Sequence, residues 1–261
     1  MKAFLTTTAL AASLAASPIA LAHEAGDLMI YDNGSGGLSF GLYDFDGGSG
    51  EVVAPGPIDI AITELEGNWE MTGMPGSDEP GWVTDGSSPN DPDGIAFAFP
   101  ASTQLNVSAN VLPVLGGNAA YWNGTGPVAF TTAMPNGIIV EGVFGSELEF
   151  DGSASAPAGS VSPWTSDANG QAHNHLEFLL DADDATAATG VYLISLSAST
   201  GALDSEPLYL LLGWGGSDFT DEALEEALES AEGYVESELV PEPGSLALLG
   251  TAGLMLLRRR R

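Results

Sequence analysis

Ile58, Ile60 and Ile62 alternate with Asp59 and Ala61, and Leu105, Val107, Ala109 and Val111 alternate with Asn106, Ser108 and Asn110. A period of two marks strands with one face buried and the other wet. Further strand-like runs are Leu28–Tyr31, Leu38–Tyr43, Ile138–Phe144, Leu148–Phe150, His173–Leu180, Val191–Ser199 and Leu208–Trp214, set between clusters of Gly, Pro, Asn, Asp and Ser. The first two flank Asp32-Asn33-Gly34-Ser35-Gly36-Gly37, which predicts a hairpin. About eight or nine short strands joined by loops of unequal length predict an all-β fold, an antiparallel β-sandwich. Glu66 to Pro100, rich in Gly, Pro and Asp, reads as a long loop.

One stretch has a helical period. From Asp218 to Leu239, the apolar Leu224, Leu228, Ala231 and Val235 follow one another at helical spacing. Glu222, Glu225, Glu226, Glu229, Glu232 and Glu236 fill the opposite face, and Asp221 and Glu222 suit the positive end of the helix dipole. The pattern predicts one acidic amphipathic helix near the C-terminus. It either packs its stripe on the sandwich or serves as a charged stalk.

Both ends read as addresses. Lys2, the small and apolar run Ala3–Ile19, and Ala20-Leu21-Ala22 have the three parts of a cleavable signal peptide, residues 1–22. Cleavage after Ala22 makes His23 the first mature residue. The β domain then spans 23–216, the helix 217–239 and a terminal signal 240–261. In that signal Pro241, Glu242 and Pro243 precede an uncharged run, Ser245–Leu257, closed by Arg258, Arg259, Arg260 and Arg261. The prolines stop any preceding helix. The run is shorter than the roughly 20 residues of an ordinary membrane span, and basic flanks stay on the cytoplasmic side.

This order of breaker, short apolar helix and basic stop resembles the PEP-CTERM sorting signal of Gram-negative bacteria. The resemblance implies passage through the general secretory machinery, transient anchoring in the inner membrane by a short transmembrane helix, and processing by an exosortase. It also implies delivery to the cell envelope, surface or extracellular matrix.

Charge changes the picture of the cargo. Lys2 and Arg258–Arg261 are the five basic residues of the chain, whereas every acidic residue except Glu242 lies between His23 and Val240. The domain therefore has no Lys or Arg salt bridges, and repulsion excludes nucleic acid as a partner. Such a domain calls for screening salt or bound cations. The chain has no cysteine, so disulfides are absent, while 44% hydrophobic residues supply a core.

The candidate chemistry follows from that deficit. In Gln171-Ala172-His173-Asn174-His175-Leu176-Glu177-Phe178-Leu179-Leu180, strand alternation puts His173, His175 and Glu177 on one face and Leu176, Phe178 and Leu180 on the core side. Two imidazoles two residues apart on a strand suit a transition metal, Zn first, with Glu177 as ligand or supporting acceptor. The plainer alternative is a pair of cationic side chains among carboxylates. A mature N-terminal His23 adds a chelating amine and imidazole. Ca is the other candidate cofactor, at the turns Asp44-Phe45-Asp46-Gly47-Gly48, Asp91-Pro92-Asp93-Gly94 and Asp181-Ala182-Asp183-Asp184, although Asp-Gly is also an ordinary turn dipeptide.

His173-Asn174-His175 followed by Gly190-Val191-Tyr192-Leu193-Ile194-Ser195-Leu196-Ser197-Ala198-Ser199 also resembles a family of surface-anchored bacterial proteins, some controlled by the zinc-uptake repressor. The resemblance implies a role in zinc supply, with His173 and His175 as ligands. No cysteine nucleophile, G-x-S-x-G elbow, P-loop or Schiff-base lysine marks an enzyme. The expected function is a non-enzymatic metal binder, with a structural or carbohydrate-binding component of the extracellular polysaccharide matrix as the alternative. For the latter, Trp69, Trp82, Trp122, Trp164 and Trp214 are candidate sugar platforms, or core residues.

Overall fold

A computed structural model describes residues 27–44, 51–54, 58–84 and 98–240. His23, the signal peptide, the sorting signal from Pro241 to Arg261 and the acidic turns through Phe45–Gly48 and Asp91–Gly94 lie outside the described residues. The strands are β1 (Asp27–Asp32), β2 (Leu38–Asp44), β3 (Glu51–Ala54), β4 (Ile60–Glu64), β5 (Gly76–Ser77), β6 (Gly81–Thr84) and β7 (Asn106–Ala109). They continue with β8 (Ala119–Trp122), β9 (Gly137–Glu141), β10 (Glu147–Phe150), β11 (Ala172–His175), β12 (Glu177–Asp181), β13 (Gly190–Ser199) and β14 (Leu208–Trp214), followed by α1 (Asp221–Glu238). Among the described residues no helix is long and apolar enough to cross a membrane.

Three sheets enclose a common core. The first has the order β11-β6-β1-β2-β3, the second β10-β9-β12-β5 and the third β4-β14-β13-β7, with β8 also paired to β13. Leu28, Ile30, Phe40 and Trp82 of the first sheet, Val140, Phe150 and Phe178 of the second, and Tyr192, Ile194 and Leu210 of the third meet in one cluster. Alternation is clean in β9 and β10, where Ile138, Val140, Leu148 and Phe150 point inward. It vanishes in β14 and in β13 from Gly190 to Leu196, which are buried on both faces. Their second face carries Val191, Leu193, Tyr209 and Leu211, and α1 covers it.

The helix is thus packed and is no stalk. Its side chains Leu224, Ala227, Leu228, Ala231 and Val235 are buried against the third sheet. Thr220 caps it, its side-chain oxygen accepting the Ala223 N–H at 3.2 Å. Gly213 in β14 makes the close approach feasible, since a Cβ there would stand 2.9 Å from Leu228 Cδ1. Glu232 departs from the expected wet face, for it is buried at 7% exposure. It lies one residue past Ala231, where the stripe broadens toward Val235.

Three expectations need correcting. The sheets are not purely antiparallel: β1 pairs β6 in parallel, and β14 pairs β4 in parallel. Parallel neighbours need long crossovers, and alternation within a strand carries no information about them. Next, His173–Leu180 is two strands. β11 joins the first sheet and β12 the second, with Leu176 fully buried where the chain changes sheet. Third, Glu66–Pro100 is more than a loop, because it holds β5 and β6, and β6 lies inside the first sheet. Of the two readings of the tryptophans, the core one holds for Trp82, Trp122, Trp164 and Trp214, which are buried, while Trp69 is half-buried.

Candidate metal centre

Three strands of the first sheet build one corner. β6 lies between β1 and β11, with Leu28 opposite Trp82, Asn174 opposite Trp82 and His175 opposite Gly81. Leu28, Ile30 and Trp82 face the core, so the alternate residues Asp27, Met29, Gly81 and Val83 face outward, as do His173 and His175. Met29, Val83, Tyr31 and Tyr43 form a small buried apolar patch on that outer face. Asp27 begins β1 at the end of the patch, and the two imidazoles of β11 reach toward it.

His173 Nε2 lies 3.0 Å from Asp27 Oδ2, and the two imidazole centroids are 5.0 Å apart. Asp27, His173 and His175 offer three ligand atoms that all lie within 4.8 Å of one another. A second group, Asp78, Glu79 and His175, meets the same measure and shares His175. His175 Nδ1 is 2.8 Å from the Asp78 carbonyl oxygen and 3.9 Å from Asp78 Oδ2. A carbonyl only accepts, so Nδ1 carries the proton in that contact and Nε2 keeps the lone pair. Fixing one ring nitrogen on a carbonyl is how proteins orient a metal-ligating histidine.

Gly81 is the space that makes the corner work. A Cβ at this position would collide with Asp27 Oδ1 and stand 2.8 Å from His175 Cε1. Its N–H donates to Glu79 Oε2 at 3.1 Å, holding the second carboxylate group beside the first. Burial dominates the electrostatics of the corner. Burial pushes the Asp27 carboxyl above its ordinary range, against the pull of His173 and His175 and a Gly81 backbone hydrogen bond, with Asp78 pushing the same way as burial. Burial also raises Glu79, opposed by the Gly81 N–H and helped by Asp27. Asp27 is 6% exposed, whereas the His173 side chain is 40% exposed, so one ligand is sunk and the other open.

Two imidazole nitrogens with a carboxylate oxygen suit Zn²⁺ or another borderline transition metal; Ca²⁺ prefers all-oxygen shells. Three protein ligands leave a tetrahedral ion one open position. Glu177 belongs to neither group. It starts β12 opposite Glu141, and its carboxyl is raised by burial first, then by Glu70, Glu141 and Asp78. His23 lies outside the described residues. Asp181, Asp183 and Asp184 of the remaining acidic turn belong to neither metal group either; instead, Asp183 O accepts the Thr186 N–H at 2.8 Å in an ordinary turn.

Asp27, Asp78 and Glu79 carry no spacing signal relative to the histidines, which lie far along the chain. The one local hint is parity, since Asp27 alternates with Met29 and Tyr31 on the outer face of β1. Compared with protein-family models, with curated proteins and with solved structures, this chain matches none.

Proposed function

We propose that this is an exported protein that binds a divalent transition metal, Zn²⁺ first, through Asp27, His173 and His175. The observation that carries the reading is the convergence of a buried carboxylate with two imidazoles from the far side of the sequence. In a domain without Lys or Arg, that carboxylate has histidine or a metal as its cation. The resemblance of its ends to a signal peptide and a sorting signal supports a place at the envelope, surface or matrix of a Gram-negative cell, where zinc capture would serve supply. Its role is binding without catalysis. Elemental analysis of the purified full-length chain tests it: bound Zn is expected in the unmodified protein and absent from His173→Ala/His175→Ala. No Zn, Cu or Ca above background in the unmodified protein sinks the reading.

One observation favours the alternative, binding of extracellular polysaccharide. A cleft of about 750 Å³ opens between α1 and the turn after β8, lined among others by Asn123, Thr125, Asp218, Phe219 and Glu226. Hydroxyl, amide and carboxylate groups beside an aromatic ring suit a neutral sugar. Retention on polysaccharide that survives His173→Ala/His175→Ala and is lost in Asn123→Ala/Asp218→Ala would favour this reading.

A further inference from the structure

The turn that carries Asp78 runs beside the place where the chain changes sheet. β5 pairs β12 with Ser77 opposite Phe178, and β6 pairs β11 with Gly81 opposite His175. Asp78, Glu79 and Pro80 therefore cross from the second sheet to the first, alongside His175 to Phe178. Ladders fix both ends of this turn. Its middle belongs to no strand, yet it supplies the carbonyl, that of Asp78, which meets His175 Nδ1 at 2.8 Å.

Ser77 holds that middle. Its Oγ accepts the Glu79 N–H at 3.0 Å and lies 3.2 Å from Thr63 Oγ1, a hydroxyl on β4 of the third sheet. Ser77 and Thr63 are both buried, where an unpaired hydroxyl is costly, so the pair is a firm anchor. The Glu79 N–H and the Asp78 carbonyl are opposite ends of one planar peptide unit. Fixing the N–H on Ser77 therefore aims the carbonyl. A neutral imidazole carries one proton and one lone pair, so a carbonyl aimed at Nδ1 draws the proton there.

We propose that Ser77 is a positioning residue of the metal centre: by holding the Glu79 N–H it aims the Asp78 carbonyl at His175 Nδ1 and so keeps Nε2 free for the ion. This rests on the metal-binding reading above, but the tautomer it sets belongs to the metal-free protein. Without the Ser77 hydroxyl the peptide plane is free to turn and the carbonyl leaves the ring. The proton then resides in part on Nε2, where it blocks the ion.

The His175 tautomer is read by nitrogen-15 NMR of the metal-free full-length chain, at a pH where the ring is neutral, and Zn²⁺ affinity by chelator competition. The unmodified ring should carry its proton on Nδ1. Ser77→Ala should move it toward Nε2 and weaken zinc binding by about 10–100-fold, as when an orienting partner is lost. Ser77→Ala/Thr63→Val strands no buried hydroxyl and should do the same, which covers the case of a single variant that does not fold. Asp78→Asn keeps the backbone carbonyl and should keep the proton on Nδ1. An unchanged tautomer in the double variant overturns the proposal, even where affinity falls, because the loss is then structural damage. A shifted tautomer with unchanged affinity overturns it too. So does an equal shift in Asp78→Asn, which gives the role to the Asp78 side chain. Absence of zinc binding in the unmodified chain overturns the metal reading, while the tautomer in the metal-free variants still decides what Ser77 does.

Discussion

Asp27 and Asp151 put the same side chain into opposite surroundings. Asp151 accepts the Ser153 N–H at 2.9 Å and Asn118 Nδ2 at 3.1 Å, and these donors hold its carboxyl below the usual range. Asp167 does likewise with the N–H groups of Asn169 at 2.7 Å and Gln171 at 2.9 Å. Both are satisfied anions that need no metal. Asp27 is buried, raised and set against two imidazoles. A domain without Lys or Arg thus neutralises its carboxylates in two ways, by neutral donors in turns and by histidine at one corner. Counting carboxylates does not find a candidate cation site; asking which of them is buried beside imidazoles does.

The largest effect that tests this contrast is on metal affinity. Asp27→Asn should reduce Zn²⁺ retention to background in competition with a chelator, whereas Asp151→Asn and Asp167→Asn should leave it unchanged. Equal losses in all three would make the centre a diffuse acidic field. Gly81→Ala comes next. Its Cβ would displace Asp27 or His175, and affinity should fall by about 10–100-fold, as when an orienting partner is lost. Retained affinity would mean that the two side chains can rearrange around a methyl group.

Asn118 is the counterpart at the other region. It is 2% exposed, donates to Asp151 Oδ1, Ser153 Oγ and Ser155 O, and accepts the Gly152 N–H at 2.8 Å. Asn118→Ala should cost about 1–3 kcal/mol in denaturant unfolding by stranding these groups, with zinc affinity untouched. The smallest effect is on pH dependence in chelator. Asp27, Asp59, Glu79 and Glu177 are raised by burial above their ordinary values of 3.8 for Asp and 4.5 for Glu. A raised carboxyl binds its proton more tightly when folded, so the cost of its charge is relieved as pH falls through the folded value. The melting temperature should therefore rise from neutral pH toward the ordinary carboxyl range. Asp151 and Asp167 have the opposite sign, and their contribution is lost only as pH falls further, through their lowered values. A steady decline from neutral pH would contradict this account.

The legible part of the fold was whatever alternation controls. Leu176, Phe178 and Leu180 point to the core as their period requires, even though the strand breaks beneath them. The apolar stripe of α1 found its sheet for the same reason. Sheet membership was not legible: nothing local says that β11 leaves β12 at Leu176 or that β6 lies beside β1. The histidines could be singled out because they are rare in this chain, and Asp27 could not because aspartate is common. Glu177 shows the limit of the periodic argument. Being two residues from His175 guarantees a shared face only while the strand stays in one sheet.

The break at Leu176 also has a mechanical side. β11 is four residues long and, among the described residues, has a ladder partner only in β6, while the next residues are stitched into another sheet through β9 and β5. An ion that ties His173 and His175 to Asp27 would act as a rivet across three strands, fastening a segment whose ladder is one-sided to β1. Occupancy would then be written into amide exchange along Ala172–His175, and the state of one corner would be readable in the tightness of the seam between two sheets.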